Sequence, residues 1–161
     1  MDARAAELIE ALGLAPHPEG GFYRELWRAP LGVEPGDRRG ARAALTSIYF
    51  LLPAGAVSRW HRVRSDEIWH HYEGAPLELL RIPPDDMRLE RIRLGPLADH
   101  QAPVCCVPAH WWQAARPLGT YTLVGCTVGP GFEFADFEML RDQPKLADAL
   151  CGALPEAASY R

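Results

Sequence analysis

The chain has no excess of positive charge. Its 17 Lys and Arg stand against 21 Asp and Glu, a formal net charge of −4 over 161 residues. No basic footprint therefore points to nucleic acid or to an anionic membrane surface. A run of about eighteen consecutive apolar residues, the least a spanning helix needs, is also missing. The opening Met1-Asp-Ala-Arg-Ala-Ala-Glu7 is polar, without the apolar centre of a secretory signal. Cysteine is scarce: Cys105, Cys106, Cys126 and Cys151 show no paired C-x-x-C spacing. The expectation is a cytoplasmic protein whose cysteines are buried or strand thiols, with a redox pair at Cys105-Cys106 the alternative. Internal repeats and linkers are absent too. One domain over residues 1–161 is expected, with a barrel core over about 20–140.

What is present is a series of short apolar runs separated by turn residues. Residues 2–13 carry Ala5, Leu8, Ile9 and Leu12 at helical spacing, with Asp2 placed to cap and Gly13 to stop the helix. Pro16-His17-Pro18-Glu19-Gly20-Gly21 reads as a rigid, bent link, because two prolines fix φ and two glycines allow a close backbone approach. Glu19 in that link either faces a ligand or pairs with an arginine. Residues 30–43 read as a mobile surface loop, with Asp37-Arg38-Arg39 and Arg42 solvated. Strands are expected at Phe22–Trp27, Ala44–Leu52, Ala75–Ile82, Met87–Leu94, Pro103–Val107, Tyr121–Val128 and Glu133–Leu140. From Asp142 the spacing of Leu146, Ala149 and Leu150 is helical, and the tail from Pro155 reads as loose. Many short strands between turns favour a sandwich or barrel over a parallel α/β sheet.

The most informative stretch runs from Gly55 to Gly74. It holds His61, Glu67 and the run Ile68-Trp-His-His-Tyr72, closed by Glu73-Gly74. On a strand, Glu67, Trp69 and His71 share one face and Ile68, His70 and Tyr72 the other; the sequence leaves open which is interior. Gly55, His61, Glu67 and Gly74 resemble the first motif of the cupin superfamily (Gly, five residues, His-x-His, three or four residues, Glu, six residues, Gly), except that its second His is Val63 here. In the second motif, Pro108 matches, His110 stands where Gly is usual and Gln113 where a His is usual. The closer resemblance is to the uncharacterised cupin-5 (DUF985) family. It rests on His17-Pro-Glu-Gly-Gly21, Thr46-Ser-Ile-Tyr-Phe-Leu-Leu52, Ser65-Asp-Glu-Ile-Trp-His70, Val107 to Gln113 and Pro130-Gly-Phe-Glu-Phe-Ala-Asp-Phe137. The resemblance implies an all-β antiparallel jelly-roll barrel, here with short helices at both ends. It also implies a homodimer, as does an N-terminal strand at an otherwise open sheet edge.

Many cupins hold a metal with three His and one Glu. Val63 cannot coordinate and Gln113 offers only a weak carbonyl, so no metal or other cofactor is expected, with a divalent ion at His61 and Glu67 as the alternative. A His beside a carboxylate can instead abstract a proton next to a carbonyl. The leading expectation is a metal-independent isomerase or epimerase acting on a small sugar-like or carbonyl metabolite. His61 is its base, Glu67 orients that base, and Tyr49 or Tyr121 is the acid. Glu19, Trp69, His71, Trp111, Gln113 and Glu133 are candidates to line the pocket, the tryptophans as stacking surface and Gln113 as a hydrogen-bonding amide. The rivals are a non-catalytic metabolite-binding cupin and a metal-dependent cupin enzyme whose third ligand is His70, His71 or His110.

Overall fold

The computed structural model describes residues 1–161. Helix α1 (Ala3–Leu12) is capped by the Asp2 side chain and ends at Gly13 in the left-handed conformation, as its sequence signals predict. The strands follow as β1 (Ala15–Pro16), β2 (Phe22–Arg28), β3 (Gly32–Val33), β4 (Arg42–Ala43), β5 (Thr46–Pro53), β6 (Ser58–Val63) and β7 (Asp66–Gly74). Then come β8 (Leu77–Ile82), β9 (Glu90–Leu94), β10 (Val104–Val107), β11 (Trp112–Pro117), β12 (Tyr121–Gly129) and β13 (Phe137–Met139), and last helix α2 (Pro144–Ala153).

Pairing is antiparallel throughout the two main sheets. One has the order β1-β2-β5-β12-β7-β10, the other β13-β6-β11-β8-β9, and β3 and β4 form a separate ribbon. The two sheets face each other as a jelly roll, the architecture the sequence led us to expect. No helix is long and apolar enough to cross a membrane.

Strand alternation divides the apolar side chains among three clusters. Between the sheets lie Phe50, Leu52, Trp69, Leu77, Leu79 and Val124. On the outer side of the five-stranded sheet, Trp60, Leu80, Ile82 and Trp112 are covered by Ala147 and Leu150 of α2 and by Ala157 and Tyr160 beyond it. On the outer side of the six-stranded sheet, Leu51, Tyr121 and Leu123 pack under Ala5 and Leu8 of α1. Both sheets are thus apolar on both faces, the pattern of strands covered on each side.

Three expectations need correction. The tail is not loose: Pro155–Tyr160 forms a 3-10 helix, in which the Ala157 carbonyl accepts from Trp60 Nε1 at 2.8 Å and the Tyr160 hydroxyl donates to Glu78 at 2.9 Å. The charged run of residues 30–43 is not wholly solvated. Arg39 and Arg42 are folded inward onto buried Asp136, with Arg42 Nε at 2.8 Å and Arg39 at 3.3 Å. Glu133–Leu140 is not one strand, because a 3-10 turn at Phe134–Asp136 precedes β13 and another, Leu140–Asp142, follows it.

Removal of residues 155–161 strips the cover from Trp60 and Ile82 and orphans the Trp60 N–H. At roughly 25 cal/mol per Å² of apolar surface plus one unsatisfied donor, the expected loss is about 3 kcal/mol or more. Urea unfolding of the shortened chain measures it, and an unchanged midpoint would contradict the packing role assigned to the tail.

Candidate functional site

A cavity of about 300 Å³ lies between the sheets. The six-stranded sheet contributes Tyr23 from β2, Thr46, Ile48 and Phe50 from β5, Glu67 from β7, and Cys126 and Val128 from β12. The facing sheet contributes His61 and Val63 from β6 and Phe137 from β13, while Phe132 and Phe134 form a wall beside them. Alternation selects these residues: Thr46, Ile48 and Phe50 point in, so Ser47, Tyr49 and Leu51 point out.

The floor is built around the link Pro16–Gly21. Gly20 and Gly21 have φ of 115° and 69°, and a Cβ on Gly20 would stand 2.1 Å from the Val57 carbonyl oxygen. Only glycine fits that approach. It brings the Glu19 carbonyl to the Arg59 N–H at 2.8 Å, pinning the link against β6 and turning the Glu19 side chain inward. Glu19 Oε1 accepts from the Ser58 hydroxyl at 2.7 Å. Its Oε2 stands 3.2 Å from His61 Nε2 and 3.4 Å from His17 Nδ1.

The tautomers follow from the partners. His61 Nδ1 lies 2.7 Å from the Arg59 carbonyl, which only accepts, so Nδ1 carries a proton and Nε2 faces Glu19. Burial lowers the affinity of His61 for a second proton, opposed by the charge of Glu67, and lowers that of His17 likewise. Burial raises the Glu19 and Glu67 carboxyls above the usual range. Glu67 Oε2 accepts from Gln113 Nε2 at 2.5 Å, and the Gln113 carbonyl accepts from Trp69 Nε1 at 3.0 Å. Burial, then the neighbouring carboxyls, push the pKa of the Cys126 thiol well up. No Lys or Arg pairs with Glu19 or Glu67. Arg28, at the mouth, is bound to Glu25 at 2.8 Å and to Glu133 at 2.7 Å.

A family model described as "Cupin superfamily (DUF985)" matches residues 6–140. The chain is a DUF985 cupin. Among solved structures it resembles a Shewanella oneidensis protein at 38% identity, with a TM-score of 0.76 and 84% of this chain aligned to 83% of that one. A hypothetical protein from Leishmania major is 30% identical, with a TM-score of 0.78 over 91% of this chain and 95% of the other. Oxalate decarboxylase from Bacillus subtilis shares the fold at 14% identity, with a TM-score of 0.60, over 85% of this chain and 34% of its own length. No curated protein matches.

Of the residues singled out from sequence, this DUF985 cupin brings Glu19, His61, Glu67 and Glu133 to the cavity. The tyrosines expected as acids are elsewhere. Tyr49 and Tyr121 face outward beneath α1, and the Tyr121 hydroxyl donates to Glu73 at 2.8 Å. Glu67 makes no hydrogen bond to His61; the Arg59 carbonyl orients that ring instead. Trp69 and Gln113 stand behind Glu67 rather than against the cavity. Trp111 lies in the turn before β11, under the Arg81 guanidinium at 5.1 Å. His71 leans on the Ala75 carbonyl at 3.3 Å. Sequence reasoning missed His17, Tyr23 and Cys126. The His-Pro-Glu-Gly-Gly block was the available signal for His17, since the link that carries Glu19 also carries it.

The cupin ligand positions do not fit a metal here. His61 and Glu67 face the cavity, but Val63 has no donor atom and both ends of the Gln113 amide are engaged. No group of three or more His, Cys, Asp or Glu side chains stands in position to hold an ion. His70 stacks on Tyr72 at 6.4 Å, and His110, exposed, occupies the turn with φ 69° in place of the motif's glycine.

The buried Glu67 carboxyl makes a pH prediction. Its folded pKa is raised by burial, so above the ordinary carboxylate range the unfolded chain has released a proton that the folded chain keeps. Stability then falls as pH rises until the folded group ionises. The Glu67→Gln variant is expected to lose less stability than the wild type between about pH 5 and pH 8. Parallel denaturation curves across that range would contradict it.

Proposed function

We propose that this cupin is a metal-independent proton-transfer enzyme of the isomerase or epimerase type, acting on a small sugar-like or carbonyl compound. The observation that carries the reading is the buried contact of His61 Nε2 with Glu19 Oε2 at 3.2 Å inside the cavity. A carboxyl raised by burial and an imidazole lowered by burial approach each other in proton affinity, so a proton moves between them at little cost. When the pair has released its shared proton it acts as the base. The carbon–hydrogen bond next to the carbonyl breaks, its electrons move into the enolate, and the proton comes to lie between Nε2 and Oε2. Tyr23, on the facing sheet, takes the role first expected of Tyr49 or Tyr121; its hydroxyl, free of any protein partner, delivers a proton to the carbon.

The test is deuterium uptake from heavy water into aldoses, ketoses and simple ketones, followed by NMR. The wild type is expected to exchange protons next to the carbonyl, faster as pH rises through the pair's ionisation. His61→Ala and Glu19→Gln are each expected to lose about 100-fold or more. If no compound exchanges while several bind, the protein is a metabolite-binding cupin without catalysis.

We also propose that it works as a homodimer joined at β2. No strand pairs with residues 24–28 on the side away from β5, and Leu26 and Trp27 there are about half exposed. A second copy of the same edge, running antiparallel, satisfies both. Light scattering should give two chains for the wild type and one for Trp27→Glu; one chain for the wild type at micromolar concentration refutes it.

A further inference from the structure

The His17 side chain is only 7% exposed, yet one of its ring nitrogens has no partner in the protein. The Glu19 N–H donates to Nδ1 at 3.3 Å, while the Glu19 carboxyl, 3.4 Å from the same nitrogen, makes no hydrogen bond with it, so Nδ1 is the bare nitrogen and Nε2 carries the hydrogen. No protein acceptor meets that N–H, and it is not among the sealed, unsatisfied atoms of the interior; His17 lines the cavity. The ring is held from several sides. Tyr23 meets it edge-on at 4.5 Å, Phe50 and Phe137 at 6.0 and 5.9 Å, and Phe134 stacks at 6.2 Å. It is a fixed donor waiting for an acceptor.

From this geometry we infer that His17 Nε2–H holds the carbonyl oxygen of the substrate, and that the substrate is a neutral aldehyde or ketone rather than a carboxylate. The inference rests on the proton-transfer reading, which it deepens. The floor holds Glu19, Glu67, His17 and His61, and neither arginine that borders the cavity pairs with them: Arg28 is engaged by two glutamates and Arg24 donates to the Leu12 carbonyl at 3.0 Å. An anion placed against the floor meets buried carboxyls that no arginine pairs with, a costly arrangement. A neutral carbonyl needs one donor, and His17 offers one. As the enolate forms, charge grows on the oxygen that faces Nε2–H, so the hydrogen bond strengthens in the transition state. The oxygen is held within the same link that carries Glu19, which keeps the donor and the base in fixed relation. The aromatic side chains around them suit an apolar or planar body attached to the carbonyl.

Acetophenone labelled with carbon-13 at the carbonyl is a suitable probe, with benzoate as its anionic counterpart. On binding, the acetophenone carbonyl stretch is expected to move to lower frequency than in water, and the shift is expected to vanish in His17→Phe, which keeps the ring and removes the N–H. Benzoate is expected to bind about tenfold or more weakly than acetophenone. Nitrogen-15 NMR of the wild type, which needs no variant, should show His17 protonated at Nε2 and that proton shifting when acetophenone is added. Absence of binding by acetophenone, an unshifted carbonyl band, a band shift that persists in His17→Phe, an Nδ1-protonated ring, or benzoate binding equally well each overturns the inference. Deuterium exchange without the band shift would sink the role of His17 and leave the Glu19–His61 pair standing. The band shift without exchange would do the reverse.

Discussion

The hydrogen bond from the Arg59 N–H to the Glu19 carbonyl, 2.8 Å long, is the constraint on which the cavity depends. It fastens a segment from before the first long strand to β6 of the opposite sheet. The approach it requires is possible only because Gly20 has no side chain to meet the Val57 carbonyl. Once the link is seated, Glu19 faces Ser58 and His61, and His17 is carried in beside Tyr23. The Arg59 carbonyl then fixes the tautomer of His61. Two backbone groups of one residue, Arg59 on β6, thus place the Glu19 carboxyl and fix the His61 tautomer.

Replacing two metal-ligand positions has consequences beyond losing ligands. Gln113 sits beside His61 in the β6–β11 pairing, where its amide bridges the Trp69 indole and the Glu67 carboxyl. A carboxyl that elsewhere in the superfamily faces a cation faces an amide and a thiol here. Burial raises its pKa above that of an ordinary carboxyl. Val63 leaves an apolar surface on the cavity wall.

The fold was largely legible in the sequence because turn residues and short apolar runs report antiparallel strands directly, and because the motif blocks span most of the chain. The site was legible only in part. Glu19, His61, Glu67 and Glu133 were recognisable as polar residues in rigid or patterned segments. The tyrosines were assigned to the wrong side for a definite reason. Thr46-Ser-Ile-Tyr-Phe-Leu-Leu52 is apolar on both faces, since α1 covers the outer one. The alternation that normally reveals which side is interior was therefore masked, and Tyr49 and Tyr121 fell on the α1 side. The ordered tail was unreadable for a similar reason. Ala157 and Tyr160 have partners, Trp60 and Glu78, about eighty to a hundred positions away, and no local pattern encodes such a contact.

The arginine-rich loop belongs to the same class of distant contact, and it bears on the cavity. Asp136 is buried in the turn between Phe134 and Phe137, two of the rings that line the site. Arg42 grips both of its oxygens, at 2.8 and 2.9 Å, and Arg39 reaches it and the Ser65 hydroxyl. Arg42, and Arg39 beside it, lower the pKa of the Asp136 carboxyl below its ordinary value. A buried ion pair of this kind contributes little net stability against an apolar alternative, but losing one partner leaves an uncompensated charge. Its effect is therefore positional: it ties the loop that bears Arg39 and Arg42 to the turn whose Phe134 and Phe137 pack beside His17 and His61. A segment whose composition suggests a solvated connector is instead the outer brace of the aromatic wall, and the cavity is held from both ends of the chain, by the glycine link on one side and by this ion pair on the other.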